Sequence, residues 1–222
     1  MTREVNIAAG PVILQGILNV PDQPLAVVVF AHGSGSSRFS PRNTFVAEVL
    51  QHQRLATLLL DLLTPREEAD PRKRFQIGLL AARLRAAVEW LDREPATAAL
   101  PIGLFGASTG AAAALYCAAN LPEKIRAVVS RGGRPDLAAA ALPNVQAPVL
   151  LIVGGNDMPV VGMNEEAYEQ LLCEKRLAIV PGATHLFEEP GALEQVAALA
   201  ARWFLAAVQG AEMRQMAHGR AD

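Results

Sequence analysis

A serine flanked by glycines offers a nucleophile near the middle of the chain. The pentapeptide Gly106-Ala107-Ser108-Thr109-Gly110 lies between an apolar run, Pro101 to Phe105, that predicts a strand and an alanine-rich run, Thr109 to Leu121, that predicts a helix. A tight turn between a strand and a helix lifts the serine hydroxyl clear of the backbone, and small glycines permit that turn. The Gly-x-Ser-x-Gly string alone is weak evidence, but its strand and helix context favours a nucleophile elbow.

A histidine and two carboxylates are placed where they could activate this serine. A serine hydroxyl is a weak nucleophile at neutral pH, so it needs an imidazole to take its proton and a carboxylate to orient that imidazole. His185 and Asp157 each follow a strand-like run, as Ser108 does. Because the carboxyl ends of parallel strands meet at one sheet edge, we predict a Ser108, Asp157 and His185 triad there. Asp136 also follows a strand and is the rival carboxylate, although behind a proline it is typical of a helix cap.

Backbone amides near the serine could stabilise the oxyanion that forms when a carbonyl is attacked. Thr109, just after the serine at a predicted helix start, supplies one N–H group. The glycine-rich turn from His32 to Ser37 supplies a second, which we assign to Ser34, while His32 itself is expected to shape the turn. Such a turn can instead bind a phosphate, but this one lacks the Gly-Lys-Ser/Thr ending and any dinucleotide spacing.

Several arginines near predicted strand ends raise the question of an anionic substrate. Arg131 and Arg134 follow a strand, while Arg38 and Arg42 follow the glycine-rich turn. We predict that Arg38, Arg131 and Arg134 bind an anionic group of the substrate. The alternative carries equal weight, because arginine supplies most of the 20 basic residues of the chain and would border any pocket.

The elements that must position these residues alternate along the chain. Short apolar runs alternate with longer helical periodicities, which is typical of an α/β protein with a largely parallel sheet and helices on both faces. Strands are predicted at Val5 to Ile7, Val12 to Leu18, Leu25 to Phe30, Ala56 to Leu60, Pro101 to Phe105, Ile125 to Ser130, Val149 to Val153 and Arg176 to Val180. Helices are predicted at Pro41 to Gln53, Pro71 to Arg93, Thr109 to Leu121, Glu165 to Leu172 and Gly191 to Val208. Little chain remains for a lid, so we expect a shallow, open pocket.

Composition limits the classes of function. With 222 residues we predict a single domain over 1–222, with a frayed tail over 210–222. A net charge of −2 and 51% apolar residues give no sign of a nucleic-acid partner. Cys117 and Cys173 stand apart from other metal ligands, so we expect buried thiols and neither a metal nor a cofactor. Glycines and a proline interrupt the longest uncharged stretch and no secretory signal is visible, so we expect no membrane span and a cytoplasmic location.

Together, four motifs resemble the α/β-hydrolase superfamily and, within it, the dienelactone hydrolase family. They are His32-Gly33-Ser34-Gly35-Ser36, Gly106-Ala107-Ser108-Thr109-Gly110, Gly155-Asn156-Asp157 and Gly182-Ala183-Thr184-His185. The resemblance covers roughly Val12 to Val208. It implies a three-layer α/β-hydrolase fold with a mostly parallel eight-stranded sheet, an antiparallel second strand and a minimal lid. It also implies the triad named above and hydrolysis through an acyl-enzyme.

The resemblance leaves the substrate open. Dienelactone hydrolases proper use a cysteine nucleophile where this chain has Ser108, so we expect a small carboxylic ester, lactone or thioester as the substrate. The alternative is a non-catalytic ligand-binding or assembly module, because a fold hosts functions without dictating them. Haloperoxidase-like or carbon–carbon bond-cleaving chemistry uses the same triad geometry. The chain is expected to act as a monomer or as a homodimer.

Overall fold

One eight-stranded sheet organises the chain. The structure, a computed structural model, describes the backbone of residues 1–218 and the side chains of residues 1–210. The strands are β1 (Thr2–Ala9), β2 (Val12–Asn19), β3 (Ala26–Ala31), β4 (Leu55–Leu60), β5 (Ile102–Ala107), β6 (Ile125–Arg131), β7 (Val149–Gly154) and β8 (Lys175–Val180). Their order across the sheet is β1-β2-β4-β3-β5-β6-β7-β8. β2 pairs antiparallel with β1 and β4, and the strands from β4 through β8 pair in parallel. Each predicted strand overlaps an observed one.

The central strands are apolar along their whole length because helices cover both faces of the sheet. Every residue of β3, β4, β5 and β7 is buried. At the sheet edge, β1 alternates between buried and exposed residues, as expected where only one face is covered. The core therefore divides into two layers of apolar side chains, one on each face of the sheet.

Six helices flank the sheet in the described part of the chain. They are α1 (Pro41–His52), α2 (Pro65–Glu68), α3 (Ile77–Leu91), α4 (Thr109–Asn120), α5 (Met158–Gln170) and α6 (Ala192–His218). Short 3-10 helices lie at Lys73–Phe75 and Pro135–Asn144. α1 and α6 pack together on one face, while α3 and α4 pack together on the other. None of these helices combines the length and apolarity that a membrane crossing requires.

The helix predicted from Pro71 to Arg93 is shorter in the structure, and sequence reasoning misses a helical turn before it. The Asp70 carboxylate accepts hydrogen bonds from the backbone and guanidinium of Arg72, which closes a turn and does not cap a helix. The missed turn is α2, which carries a capping box: Thr64 accepts from the Glu67 N–H, and the Glu67 carboxylate accepts from the Thr64 N–H. A threonine three residues before a glutamate, followed by proline, is the signal that predicts it.

α5 starts earlier than predicted. The expected start is Glu165, whereas α5 begins at Met158, directly after Asp157. Proline is tolerated in the first turn of a helix, so Pro159 does not prevent this early start. As a result Asp157 occupies the N-cap position of α5, where its backbone is fixed by the junction of a strand and a helix.

α6 extends past its predicted end at Val208 into the tail over 210–222, whose fraying stays a prediction. The helix runs to His218 through a single glycine, Gly210. One glycine inside a helix costs only about 1 kcal/mol relative to alanine, and the following alanines, glutamate, methionines, arginine and glutamine are good helix formers. Residues 219–222 lie outside the described residues.

Candidate active site

Ser108 stands on a strained turn between β5 and α4. Its backbone angles are φ 50° and ψ −121°, in a region that residues with a Cβ atom rarely adopt. Such a conformation costs about 1–3 kcal/mol and persists only where neighbouring groups hold it. The Ser108 N–H donates to the carbonyl of Arg131 at 3.2 Å, and the Ser108 carbonyl accepts from the N–H of Arg134 at 3.1 Å. The last residue of β6 and the loop that follows it therefore hold the N–H and the carbonyl of Ser108.

Two glycines allow the strand and the helix to approach at this turn. A Cβ atom added to Gly110 would lie 2.2 Å from the carbonyl oxygen of Ala31, and one added to Gly106 would lie 2.4 Å from the Cα atom of Ala111. Neither side chain would fit without moving backbone. The glycines of the pentapeptide are thus required by close packing as well as by the turn.

His185 and Asp157 meet at the same edge of the sheet. The distance between His185 Nδ1 and Asp157 Oδ2 is 2.6 Å, which is a short hydrogen bond. The Asp157 side chain is 15% exposed and the His185 side chain 38%. A carboxylate that accepts from Nδ1–H fixes the tautomer that leaves Nε2 free to accept a proton. Asp136, the rival carboxylate, instead accepts two hydrogen bonds from the Arg134 guanidinium, at 2.9 and 2.7 Å.

Hydrogen bonds hold the conformation of the loop that carries His185. Thr184 donates from its backbone N–H and its hydroxyl to the two carboxylate oxygens of Glu189, at 3.0 and 2.6 Å. Those hydrogen bonds, first the one from the hydroxyl, lower the pKa of Glu189. Asn156 binds the loop through its backbone N–H, which donates to the Ala183 carbonyl at 2.9 Å. Sequence reasoning misses Glu189, since its role depends on a loop conformation that no local motif encodes.

Ser108 and His185 line one small cleft at the carboxyl edge of the sheet. The cleft has a volume of about 210 Å³, and Ser34, Arg42 and Arg131 also line it. A larger depression of about 800 Å³ lies by the amino end of β5 and contains none of the predicted site residues. The cleft therefore brings together the predicted nucleophile, its histidine and one of the three predicted arginines.

The predicted oxyanion donors lie against each other. The Ser34 N–H donates to the Thr109 hydroxyl at 2.9 Å, which ties the glycine-rich turn to the start of α4. The Thr109 N–H begins a helix and so has no intrahelical acceptor. His32 shapes the turn as predicted: its Nδ1 lies 2.9 Å from the Gly33 carbonyl, and its Nε2 accepts from the Leu62 N–H at 3.1 Å.

The structure separates the three predicted substrate-binding arginines. Arg38 forms an ion pair with Asp61, and Arg134 pairs with Asp136, so neither guanidinium lines the cleft. The prediction that these two bind substrate is not supported, because each is already neutralised by a neighbouring carboxylate. Arg131 does line the cleft, and burial together with the nearby charge of Arg42 lowers its pKa to about 10.

The two cysteines stand apart from this cleft. Cys117 is buried in α4, and burial raises its pKa to about 12. Cys173 is only half-buried, contrary to prediction, because it lies in the turn between α5 and β8. Burial raises its pKa as well. Within the described residues, no group of three or more histidine, cysteine, aspartate or glutamate side chains is arranged to hold a metal ion.

The architecture is shared with proteins of known structure. A dienelactone hydrolase from Anabaena variabilis is 59% identical, with a TM-score of 0.90 over 93% of this chain and 97% of that one. Est1E from Butyrivibrio proteoclasticus has a TM-score of 0.80 over 93% of this chain and 99% of that one, at 16% identity. The fold is that of the α/β-hydrolases.

The family follows from the sequence match. A sequence profile described as the dienelactone hydrolase family matches residues 14–209. The chain belongs to the dienelactone hydrolase family, and this membership supports hydrolase activity. Two curated proteins from strains of Mycobacterium tuberculosis, provisionally named phosphoribosyl transferases, are 58% identical over 202 residues, or 91% of this chain. The aligned region is 46% of their length, so this chain spans about half of each.

Proposed function

We propose that the chain is a serine hydrolase that cleaves a small carboxylic ester, lactone or thioester through an acyl-enzyme on Ser108. The observation that carries the proposal is the strained turn that presents Ser108 to the same cleft as His185, whose Nδ1 is bound to Asp157. A hydroxyl, an imidazole and a carboxylate in that order constitute the machinery of acyl transfer.

In the proposed mechanism, His185 Nε2 accepts the Ser108 proton as the hydroxyl oxygen attacks the substrate carbonyl. Asp157 stabilises the imidazolium that results. The oxyanion accepts hydrogen bonds from the N–H groups of Thr109 and Ser34, and the Ser34 N–H exchanges its bond with the Thr109 hydroxyl for one with the oxyanion. His185 then protonates the leaving alcohol or thiol. A water molecule activated by the same histidine hydrolyses the acyl-enzyme.

The size of the cleft supports a small substrate. Sites for drug-sized ligands enclose about 300–1,000 Å³. The cleft beside Ser108 encloses about 210 Å³. We therefore infer that the acyl group is short and that part of the leaving group extends into solvent.

Phosphoribosyl transfer is not the activity we propose for this chain. The phosphoribosyl transferase name belongs to two proteins that are about twice as long as this chain. The region that matches this chain is 46% of their length. The cleft described here suits covalent acyl transfer. We infer that the transferase name refers to the part of those proteins that this chain does not match.

Labelling with a fluorophosphonate probe tests the proposal. We expect one label on Ser108, and we expect Ser108→Ala to lose both the label and ester hydrolysis, with kcat lower by at least about 10³-fold. Ser130→Ala is the matched control, because Ser130 is a fully buried serine on the neighbouring strand and should keep both. Normal ester hydrolysis by Ser108→Ala would refute the proposed nucleophile, and a wild-type protein that takes no label and hydrolyses no ester would refute the proposal and favour a binding module.

A further inference from the structure

A buried asparagine on α5 binds the loop that holds Ser108. Asn164 is fully buried, and its Nδ2 donates to the carbonyl of Gly133 at 3.0 Å and to that of Val160 at 2.8 Å. Val160 lies one turn earlier in α5, whereas Gly133 lies in the loop between β6 and the 3-10 helix Pro135–Asn144. The Asn164 side chain therefore ties α5 to this loop.

Packing alone does not explain an amide at this position. The Oδ1 atom of Asn164 is buried and has no hydrogen-bond donor among residues 1–210. A buried acceptor without a donor destabilises a folded protein, and an aliphatic side chain of similar size would not carry that acceptor. The Val160 carbonyl already accepts from the backbone N–H of Asn164, as in any α-helix. What the amide adds is the hydrogen bond to Gly133.

That hydrogen bond acts on a peptide group whose other end binds the serine. The Gly133 carbonyl and the Arg134 N–H belong to one planar peptide group, so fixing the carbonyl orients the N–H. The Arg134 N–H donates to the Ser108 carbonyl at 3.1 Å. The Ser108 carbonyl in turn shares a peptide group with the N–H of Thr109, the proposed oxyanion donor. Two rigid peptide groups therefore connect the Asn164 amide to the Thr109 N–H.

The peptide group between Ser108 and Thr109 needs external support. The Ser108 backbone has a positive φ of 50°, which persists only where neighbouring groups hold it. An oxyanion donor is effective when it is already aimed before the negative charge develops. Hydrogen bonds in a chain also polarise one another, so a donor at the far end strengthens the last N–H in the chain.

We propose that Asn164 is a positioning residue that orients and polarises the Thr109 N–H through the Gly133–Arg134 and Ser108–Thr109 peptide groups. The inference rests on the proposed hydrolase function and adds to it a residue that does not line the cleft. Because the oxyanion exists in the transition state and not in the bound ester, loss of this support lowers kcat and leaves KM unchanged.

Asn164→Leu tests this role, because leucine has a similar volume and no donor. We expect kcat for p-nitrophenyl acetate to fall by about 10- to 100-fold, less than the roughly 10²- to 10³-fold caused by removing a whole oxyanion donor, with KM constant within about twofold. Thr97→Val is the matched control, because Thr97 is also buried and its hydroxyl donates to the Leu91 carbonyl at 2.9 Å, away from the cleft. It should lower the unfolding midpoint and keep kcat. If Asn164→Leu does not fold, Asn164→Ala replaces it with the same expected result.

A second route from Asn164 to the chemistry runs along α5 itself. Asp157 occupies the N-cap position of this helix, so a shift of α5 would disturb the hydrogen bond between Asp157 and His185. The pH profile of kcat/KM reports the essential base of the free enzyme and would then be displaced. We expect the profile of Asn164→Leu to coincide with that of the wild-type protein after scaling. A displaced profile would overturn the route through the peptide groups.

Amide proton resonances separate failure of this role from failure of the proposed function. In a nitrogen–proton correlation spectrum, the Arg134 and Thr109 resonances should move upfield in Asn164→Leu, because both N–H groups are less polarised, and should stay in place in Thr97→Val. Unmoved resonances refute the positioning role whatever the activity. Equal kcat in the wild-type and Asn164→Leu proteins refutes it while the hydrolase stands. If the wild-type protein hydrolyses no ester, the proposed function fails, and a shift of both resonances still supports the connection from Asn164 to Thr109.

Discussion

The guanidinium of Arg131 is buried, and we expect it to lower the stability of the fold. It has no carboxylate against it among the described residues, and Arg42, the other charge that acts on it, is also positive. Replacing buried charged groups by apolar residues of similar volume often stabilises a protein by about 1–4 kcal/mol. We predict a gain in that range for Arg131→Met, measured by urea unfolding.

The control for this stability measurement is Arg134→Met, because its guanidinium forms a partly exposed ion pair with Asp136. Surface ion pairs contribute about 0–1 kcal/mol, so we expect little change. A less stable Arg131→Met protein would show that the guanidinium supports the fold.

Some features of the candidate site can be predicted from the sequence and others cannot. A strand-like run precedes each of Ser108, Asp157 and His185, and it is fully apolar and buried before the first two. Because parallel strand ends meet at one edge, the proximity of these residues can be predicted. The sequence does not predict which arginine side chain is left without a carboxylate partner. Asp61 pairs with Arg38 across 23 residues, and that contact exists only once β4 and the glycine-rich turn are packed.

At the scale of an element, the loop after β8 determines where the imidazole stands. Glu189 clamps Thr184, directly before His185, through two hydrogen bonds. Glu189 is a positioning residue, because it touches the loop and not the substrate. We predict that Glu189→Ala lowers kcat by about 10- to 100-fold with little change in KM, since small displacements of a catalytic group reduce the rate strongly.

Glu189→Gln is the conservative control, because its amide oxygen can still accept one of the two hydrogen bonds from Thr184. It should restore most of the lost kcat. Fluorophosphonate labelling of Ser108 should slow in parallel with kcat in Glu189→Ala, because labelling also needs the imidazole in place. Equal loss of activity in both variants, with unchanged unfolding midpoints, would exclude the proposed clamp.

The elements themselves are predictable where local pattern and tertiary packing agree. The predicted central strands overlap observed ones because burial on both faces leaves a continuous apolar run, whereas the edge strand β1 shows the alternation of a strand covered on one face. Helix starts are less predictable, because proline and aspartate both cap helices and close turns. Asp70 closes a turn around Arg72, whereas Asp157 occupies the N-cap position of α5 while its carboxylate binds His185 and makes no capping hydrogen bond. Only the folded structure shows whether a given aspartate closes a turn or stands at the start of a helix.

At the scale of the whole molecule, a buried ion pair joins three separate segments of the fold. Glu67 in α2 binds Arg83 in α3 at 2.9 Å, and the Arg83 guanidinium also donates to the Ala9 carbonyl in β1. Burial acts to raise the pKa of Glu67, but the Thr64 N–H and the positive charge of Arg83 outweigh it, so the pKa lies below the ordinary 4.5. The folded protein therefore prefers the ionised carboxylate more than the unfolded chain does.

This preference predicts how acid weakens the fold. A carboxylate whose pKa is lowered on folding stabilises the protein fully above its unfolded pKa, and that stabilisation is lost as the pH falls through the lowered value. Glu67→Gln removes the charge at every pH and leaves Arg83 buried without its ion partner. We predict a loss of about 3–5 kcal/mol at pH 7, as is typical when one member of a buried pair is deleted.

The difference should begin to shrink below pH 4.5, and the two proteins should converge once the pH has fallen through the lowered pKa of Glu67, because the wild-type carboxylate is then protonated in the folded state as well. Urea unfolding at a series of pH values measures the difference between them. The matched control is Glu89→Gln, which breaks an exposed pair with Arg85 and should change stability by less than about 1 kcal/mol at any pH. A constant difference between wild-type and Glu67→Gln from pH 7 to pH 3 would contradict the prediction, because the contribution of Glu67 would then not depend on its charge.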